Sequence, residues 1–265
     1  MRNSILASTI GLAILLSVPS FAQSAAGQAP AAAAIPRARD GKPNLSGIWQ
    51  VLSTANFDLQ DHSARKDAPG GQSVVEGGEI PYQAWALAKK RENFKNRATA
   101  DTEAQCHLLG VPRSTYSGHP FQIFQSSIDE PITILYEYAH ANRFIYTNGT
   151  EHPKGPIEWW LGDSRGHWEG DTLVVDNIHF NDQTWFDRAG DFHSEELHVV
   201  ERYTLTDPDH INYQARIEDP KVFTKPWNIN LVLYRRKEKD VQLLEFECYT
   251  FDIDKYYPFP AEGEN

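Results

Sequence analysis

From Phe121 to near the end of the sequence, apolar and polar residues alternate through one short segment after another. The segments read "FQIFQSS", "PITILYEYA", "RFIYTN", "HWEGDTLVVDN", "LHVVERYTL", "DHINYQARIED", "WNINLVLYRR" and "VQLLEFECYT". A two-residue apolar period marks a strand with one face buried and one face wet. Asn148-Gly149 is a turn signal, and "TDPD" and "RKEKD" are tight, charged connections. Short connections join antiparallel neighbours. So many sequential strands must close or stack to protect their edges. The pattern predicts a mainly β chain, a meandering antiparallel β-barrel.

Parity assigns the inner face. Ile132, Ile134, Tyr136 and Tyr138 fall on one row, as do Ile211, Tyr213, Ala215 and Ile217. Trp227, Ile229, Leu231 and Leu233 form a third row, and Leu244, Phe246 and Cys248 a fourth. In "HSEELHVVERY" the corresponding row is Leu197, Val199, Glu201, Tyr203 and then Leu205. Glu201 is thus a carboxylate on an apolar face. A short loop after this strand sets it opposite Tyr213, a longer one opposite Ala215, and both keep it inside. Such a group costs several kcal/mol unless it is paired, hydrogen-bonded or wet. Three readings stay open: a bonded core glutamate, a general acid/base with a raised pKa facing a cavity, or a metal ligand.

Ahead of the strands, "DGKPNLSGIWQVLS" carries a turn and a strand near Gly47 to Ser53. "IPYQAWALAKKRENFKNRA" predicts one packed helix near 81–98, with Pro81 by its first turn and a stripe of Trp85, Ala88 and Glu92 against the body. "CHLLGVPRSTYSGHP" reads as loop. The first 22 residues have a basic start, an apolar core and a small-residue site, which predicts a cleaved signal peptide and a periplasmic or secreted chain. Residues 23–40 read as a flexible leader, and 41–265 as a single barrel domain. No segment is apolar for long enough to predict a membrane span. With 36 acidic against 25 basic residues, a nucleic-acid partner is not expected. In an oxidising compartment Cys106 and Cys248 suggest a disulfide, with two free thiols or a redox role as the alternatives.

Residues 178–196 form a connection longer than a hairpin needs, both polar and aromatic. It is expected to cover the mouth of the barrel. It offers His193 as a base, with Asp187 to orient it; a loop histidine bonded to backbone is the plainer reading. Trp168, Trp185, Tyr213 and Asn181 are the candidate substrate-binding residues. No metal ligand set is expected, because no HxH, HExxH or Cys/His cluster is present. There is no nucleophile elbow, phosphate loop, dinucleotide fingerprint or heme motif either, so no cofactor is expected.

"GHWEGDTLVVDNIHFNDQTWFD", "HSEELHVVERY" and "DPKVFTKPW" resemble a family of secreted bacterial proteins of unassigned function. Its members read WEGDTLVVDT, then FN and TW, then HS–LH–ERY, then DP–YTKPW. "DGKPNLSGIW" and "CHLLGVPR" extend the likeness over nearly the whole chain after the leader. Asn177 stands where a Thr is usual and Phe223 where a Tyr is usual. A GxW opening on a meandering barrel is also similar to lipocalin-like, or calycin, barrels, which implies a ligand cavity by analogy. Together these support a cofactor-independent lyase or isomerase acting on a small cyclic or aromatic molecule, with Glu201 and His193 moving the proton. The alternatives are a non-catalytic periplasmic carrier and a structural domain with a filled barrel. The oligomeric state is left open.

Overall fold

The computed structural model describes residues 34–126 and 130–248. The expected signal peptide, and the leader up to residue 33, lie outside the described residues. Nine strands close into a barrel in sequence order. They are β1 (Gly47–Val51), β2 (Phe121–Phe124), β3 (Ile132–Tyr136), β4 (Asn142–Tyr146), β5 (Asp163–Glu169), β6 (Thr172–Ile178), β7 (His198–Asp207), β8 (His210–Glu218) and β9 (Trp227–Arg235). The barrel closes where β9 pairs with β1, Val51 opposite Leu233 and Trp49 opposite Arg235. The sheet is mixed rather than wholly antiparallel. β4 and β5 run parallel and are matched at two positions, Ile145 with Ser164 and Tyr146 with Arg165. The long connection between them carries the chain back to the end where β4 began, as parallel pairing requires.

The alternation decides the inside as expected. β8 buries Ile211, Tyr213, Ala215 and Ile217 and leaves its even positions wetter. β7 pairs with β8 so that Glu201 faces Ala215 and Tyr203 faces Tyr213, with an irregularity between Leu205 and Asp207. The interior is filled by large side chains, Trp49, Phe121, Tyr203 and Tyr213 among them, each 1 % exposed or less.

Four local readings need correction. The segment from Val241 to Cys248 is not a barrel strand: it is largely exposed and makes one backbone bridge, Phe246 to Tyr138, with Leu244 N–H donating to Glu137 at 2.8 Å. Its alternation imitates a strand, but β1 already occupies the free edge of β9. The helix α1 (Ala84–Ala100) buries Ala86 and Asn93, not the Trp85 stripe. Trp85 is half exposed and uses its indole N–H on Lys221 O at 3.2 Å. α1 rests on polar loops, with Asn93 donating to Gly190 O at 3.2 Å, so apolar periodicity was the wrong guide there. The stretch read as loop contains a short helix α2 (Arg113–Tyr116), entirely buried, whose Arg113 binds Asp101, Glu103 and Asn56. Finally, the leader is tied down before residue 40, since Arg37 grips Asp171 with two bonds of 2.6 and 2.7 Å.

Cys106 and Cys248 are bonded, with their Cα atoms 5.3 Å apart. This fixes the tail to the segment after α1. Among the described residues no helix is long and apolar enough to cross a membrane.

Candidate ligand site and the charged pair beneath it

Glu201 points into the barrel, fully buried, and its partner is Arg143, which is 3 % exposed. On β4 the odd positions Arg143 and Ile145 turn inward, while Phe144 and Tyr146 face out. The guanidinium makes a forked pair with the carboxylate: Nη2 bonds Oε2 and Nη1 lies 3.3 Å from Oε1. The hydroxyls of Tyr203 and Tyr213 each donate to Oε1 at 2.8 Å, and Asn177 Nδ2 donates to Oε2 at 3.0 Å. Burial, and then the charge of Glu201, pushes both phenols well above their ordinary value, so they stay protonated donors. The remaining donors of Arg143 reach Ser164 Oγ at 2.9 Å and Asn177 Oδ1.

This network satisfies the acid from both sides. A carboxylate offers about four lone-pair sites, and here Oε1 has three donors and Oε2 two, so none is left open. A buried pair of this kind stands only because its other lone pairs and protons are also used.

The other residues singled out from the sequence divide. Tyr213 does join Glu201. His193 does not: its Nδ1 faces Ser194 O at 2.8 Å and so must carry the proton, while Nε2 accepts from Thr184 Oγ1 at 2.6 Å. Its ring packs against Phe186 and Phe180. Burial pulls its pKa down, so a neutral ring is favoured. Asp187 is not a partner of that ring. It accepts the backbone N–H groups of Leu59 at 2.9 Å and Asp191 at 3.1 Å, and burial, then the neighbouring Asp191 carboxylate, pushes its pKa well up. Asp58, Asp187 and Asp191 crowd together, with Lys90 Nζ 2.7 Å from Asp191 as counter-charge. Trp185 is buried with its backbone N–H on Thr102 Oγ1 at 3.0 Å, and Asn181 Oδ1 accepts from Gln183 N–H at 3.2 Å. Trp168 packs half-buried against the core. The 178–196 connection is therefore held by buried bonds, both within itself and to the segments around Leu59 and Thr102.

An opening does exist next to the charged pair, at the parallel seam. Because β4 and β5 meet over so short a length, the wall parts into a cleft of about 390 Å³. Phe144, Tyr146, Trp159 and Trp160 line it, together with Leu108, Asn142, Glu158 and Asp163. Arg143 and Ser164 also reach it, so the residues that bind Glu201 form part of the cleft wall. Phe144, Tyr146 and Trp159 are each more than a third exposed. Apolar rings left open around a few polar groups are the usual build of a small-molecule site. A larger depression, about 550 Å³, is lined by β7 to β9 and the end of β1, with polar residues such as Arg202, Gln214 and Asn230 and apolar ones such as Leu52 and Val232 in similar measure.

Arg143 and the seam aromatics were not singled out from the sequence. The signal for Arg143 was its parity with Ile145, masked because aromatic Phe144 and Tyr146 occupy the outward row. Asn177, which stands where the resembling family reads Thr, bridges Arg143 and Glu201 through its amide. Comparison with protein-family models, curated proteins and solved structures finds no match, so the likeness to secreted bacterial proteins rests on the sequence motifs.

Proposed function

We propose that this protein is a small-molecule-binding β-barrel, a carrier and not a catalyst, whose ligand is a cyclic or aromatic organic molecule lying in the seam cleft between β4 and β5. The observation that carries this reading is the set of exposed rings, Phe144, Tyr146 and Trp159, gathered with Trp160 beside a locked polar group. Flat faces bind flat ligands by stacking, and Asn142 and Glu158 offer polar groups to orient them. Arg143 and Ser164 would present a rigid floor, since their side chains are already held from within. A periplasmic setting follows from the expected signal peptide and suits the disulfide.

An acid/base enzyme using Glu201 is the competing reading, favoured by the single residue, Arg143, that separates the carboxylate from the cleft. Four side chains donating to Glu201 weigh against it. The test is to titrate the protein with a panel of cyclic and aromatic compounds while following tryptophan fluorescence. Binding that disappears in Trp159→Ala and Trp160→Ala supports the carrier. Turnover of a bound compound, lost in Glu201→Gln, would select the enzyme instead.

A further inference from the structure

Three acids meet at the 178–196 connection. Asp187 and Asp191 flank the Ala189-Gly190 turn, and Asp58 comes from the segment after β1. Each offers one carboxylate oxygen, and the three oxygens lie within 4.8 Å of one another. Asp187 and Asp191 are fully buried, while Asp58 keeps part of its side chain in solvent. Asp191 Oδ1 is taken by the Tyr82 hydroxyl and by Lys90 Nζ, each at 2.7 Å. Its Oδ2 is buried and has no hydrogen-bond partner, and the Asp187 carboxyl stands within bonding reach of the Asp191 carboxylate. Asp187 itself accepts the backbone N–H groups of Leu59 and Asp191, and Asp58 Oδ1 accepts that of Gln60 at 3.1 Å.

Ionised carboxylates only accept, so two of them side by side need a proton or a cation between them. Of the cations nearby, Lys90 is bonded to the group, whereas Arg65 stops 3.9 Å from Asp58 and gives its Nε to Asp67 at 3.1 Å. One bonded positive charge thus faces three acids. We propose that Asp58, Asp187 and the free oxygen of Asp191 bind one calcium ion. A set made of oxygens alone suits a hard cation and is a poor one for zinc or copper, which favour nitrogen and sulfur. Calcium bonds run about 2.3–2.6 Å, so oxygens on one ion stand at most about 5 Å apart, a span that this group meets. Magnesium, with bonds of about 2.0–2.1 Å and a strict octahedron, asks for a tighter set. The partly open side of Asp58 is the way in for the ion and for the waters that complete its shell. Bound there, calcium clamps the 178–196 connection to the segment that follows β1. None of the three acids lines the seam cleft, so this site and the seam reading stand or fall separately.

The test is calorimetric titration of the tag-free, EDTA-treated protein with calcium chloride and, separately, with magnesium chloride. One calcium per chain is expected, with magnesium at least tenfold weaker. Affinity for calcium should fall at least tenfold in Asp58→Asn, a change at the part-exposed member of the group. Calcium should also raise the Tm of the wild type, because an ion held only by the folded chain stabilises it, and this readout needs no variant to fold. No binding by the wild type, binding that leaves the Tm where it was, or unchanged affinity in folded Asp58→Asn would overturn the proposal. The first of these results would mean that a proton shared by Asp187 and Asp191 settles the group instead.

Discussion

Arg143 on β4 and Glu201 on β7, 58 residues apart in the chain, form a two-bonded ion pair inside the barrel, with both side chains removed from solvent. The pair joins two walls that share no backbone hydrogen bonds, and it does so beside the one seam where strands run parallel. Removing one charge strands the other. Glu201→Gln and Arg143→Met should each cost about 3–5 kcal/mol, or a fall in Tm of roughly 10 °C for a chain of this size. The double variant should lose much less than the sum. Urea melts of the four proteins check this, and additive losses would mean that the two side chains stand independently.

Acid and alkaline limits should trace to different histidines. Burial holds His193 below its ordinary 6.5, so the unfolded ring takes its proton first as the pH falls. Its contribution is present above that value and declines below it. His198 is shifted up by its bond to Asp176, so its contribution is full below 6.5 and is lost as the pH rises through the folded value. Tm measured from about pH 5 to about pH 8 should lose part of its acid-side slope in His193→Gln and part of its alkaline-side slope in His198→Gln. Profiles parallel to wild type would contradict both assignments.

The disulfide spans 142 residues yet lies outside the barrel wall, joining Cys106 after α1 to Cys248 beyond β9. Replacing both cysteines by serine should cost about 2–4 kcal/mol, near 5 kcal/mol being the chain-entropy figure for so long a loop. The β-sheet circular dichroism should persist. An unchanged urea midpoint would show that the tail's anchor adds nothing to the barrel.

The seam itself can be probed at Gly166. A Cβ there would sit 2.7 Å from Ile145 Cγ2 and 3.2 Å from Thr147 Cγ2, so a side chain forces β5 away from β4. Gly166→Val should cost about 1–3 kcal/mol and weaken any ligand held in the seam cleft. Retention of wild-type stability would mean that the two strands part without penalty.

Most of the strands, the inward rows of β3, β7, β8 and β9 and the burial of Glu201 were legible in the sequence, because a period of two leaves a carboxylate on an apolar row nowhere else to point; the turn that divides "HWEGDTLVVDN" between β5 and β6 was not. The partner was not legible. Arg143 sits on a strand whose outward positions are aromatic, so simple hydropathy inverts its two faces. The parallel seam was hidden as well, since pairing direction depends on where a long connection travels and not on its composition. His193 and Asp187 were grouped by nearness in sequence, but they bond to different partners, Thr184 and Ser194 in one case and Leu59, far back in the chain, and Asp191 in the other.

Closure between β1 and β9 has a kinetic consequence. Trp49 and Arg235 stand opposite each other, with the guanidinium 4.2 Å from the indole and its Nη1 on Ser46 O at 2.7 Å. The first and last strands are therefore the two halves of one clasp. That raises the contact order, so the ring cannot be completed until nearly all of the chain has been made. Until then β1 and β8 carry bare edges that invite pairing with other chains. A truncation before Trp227 would leave those edges permanently open, and self-association is its expected fate.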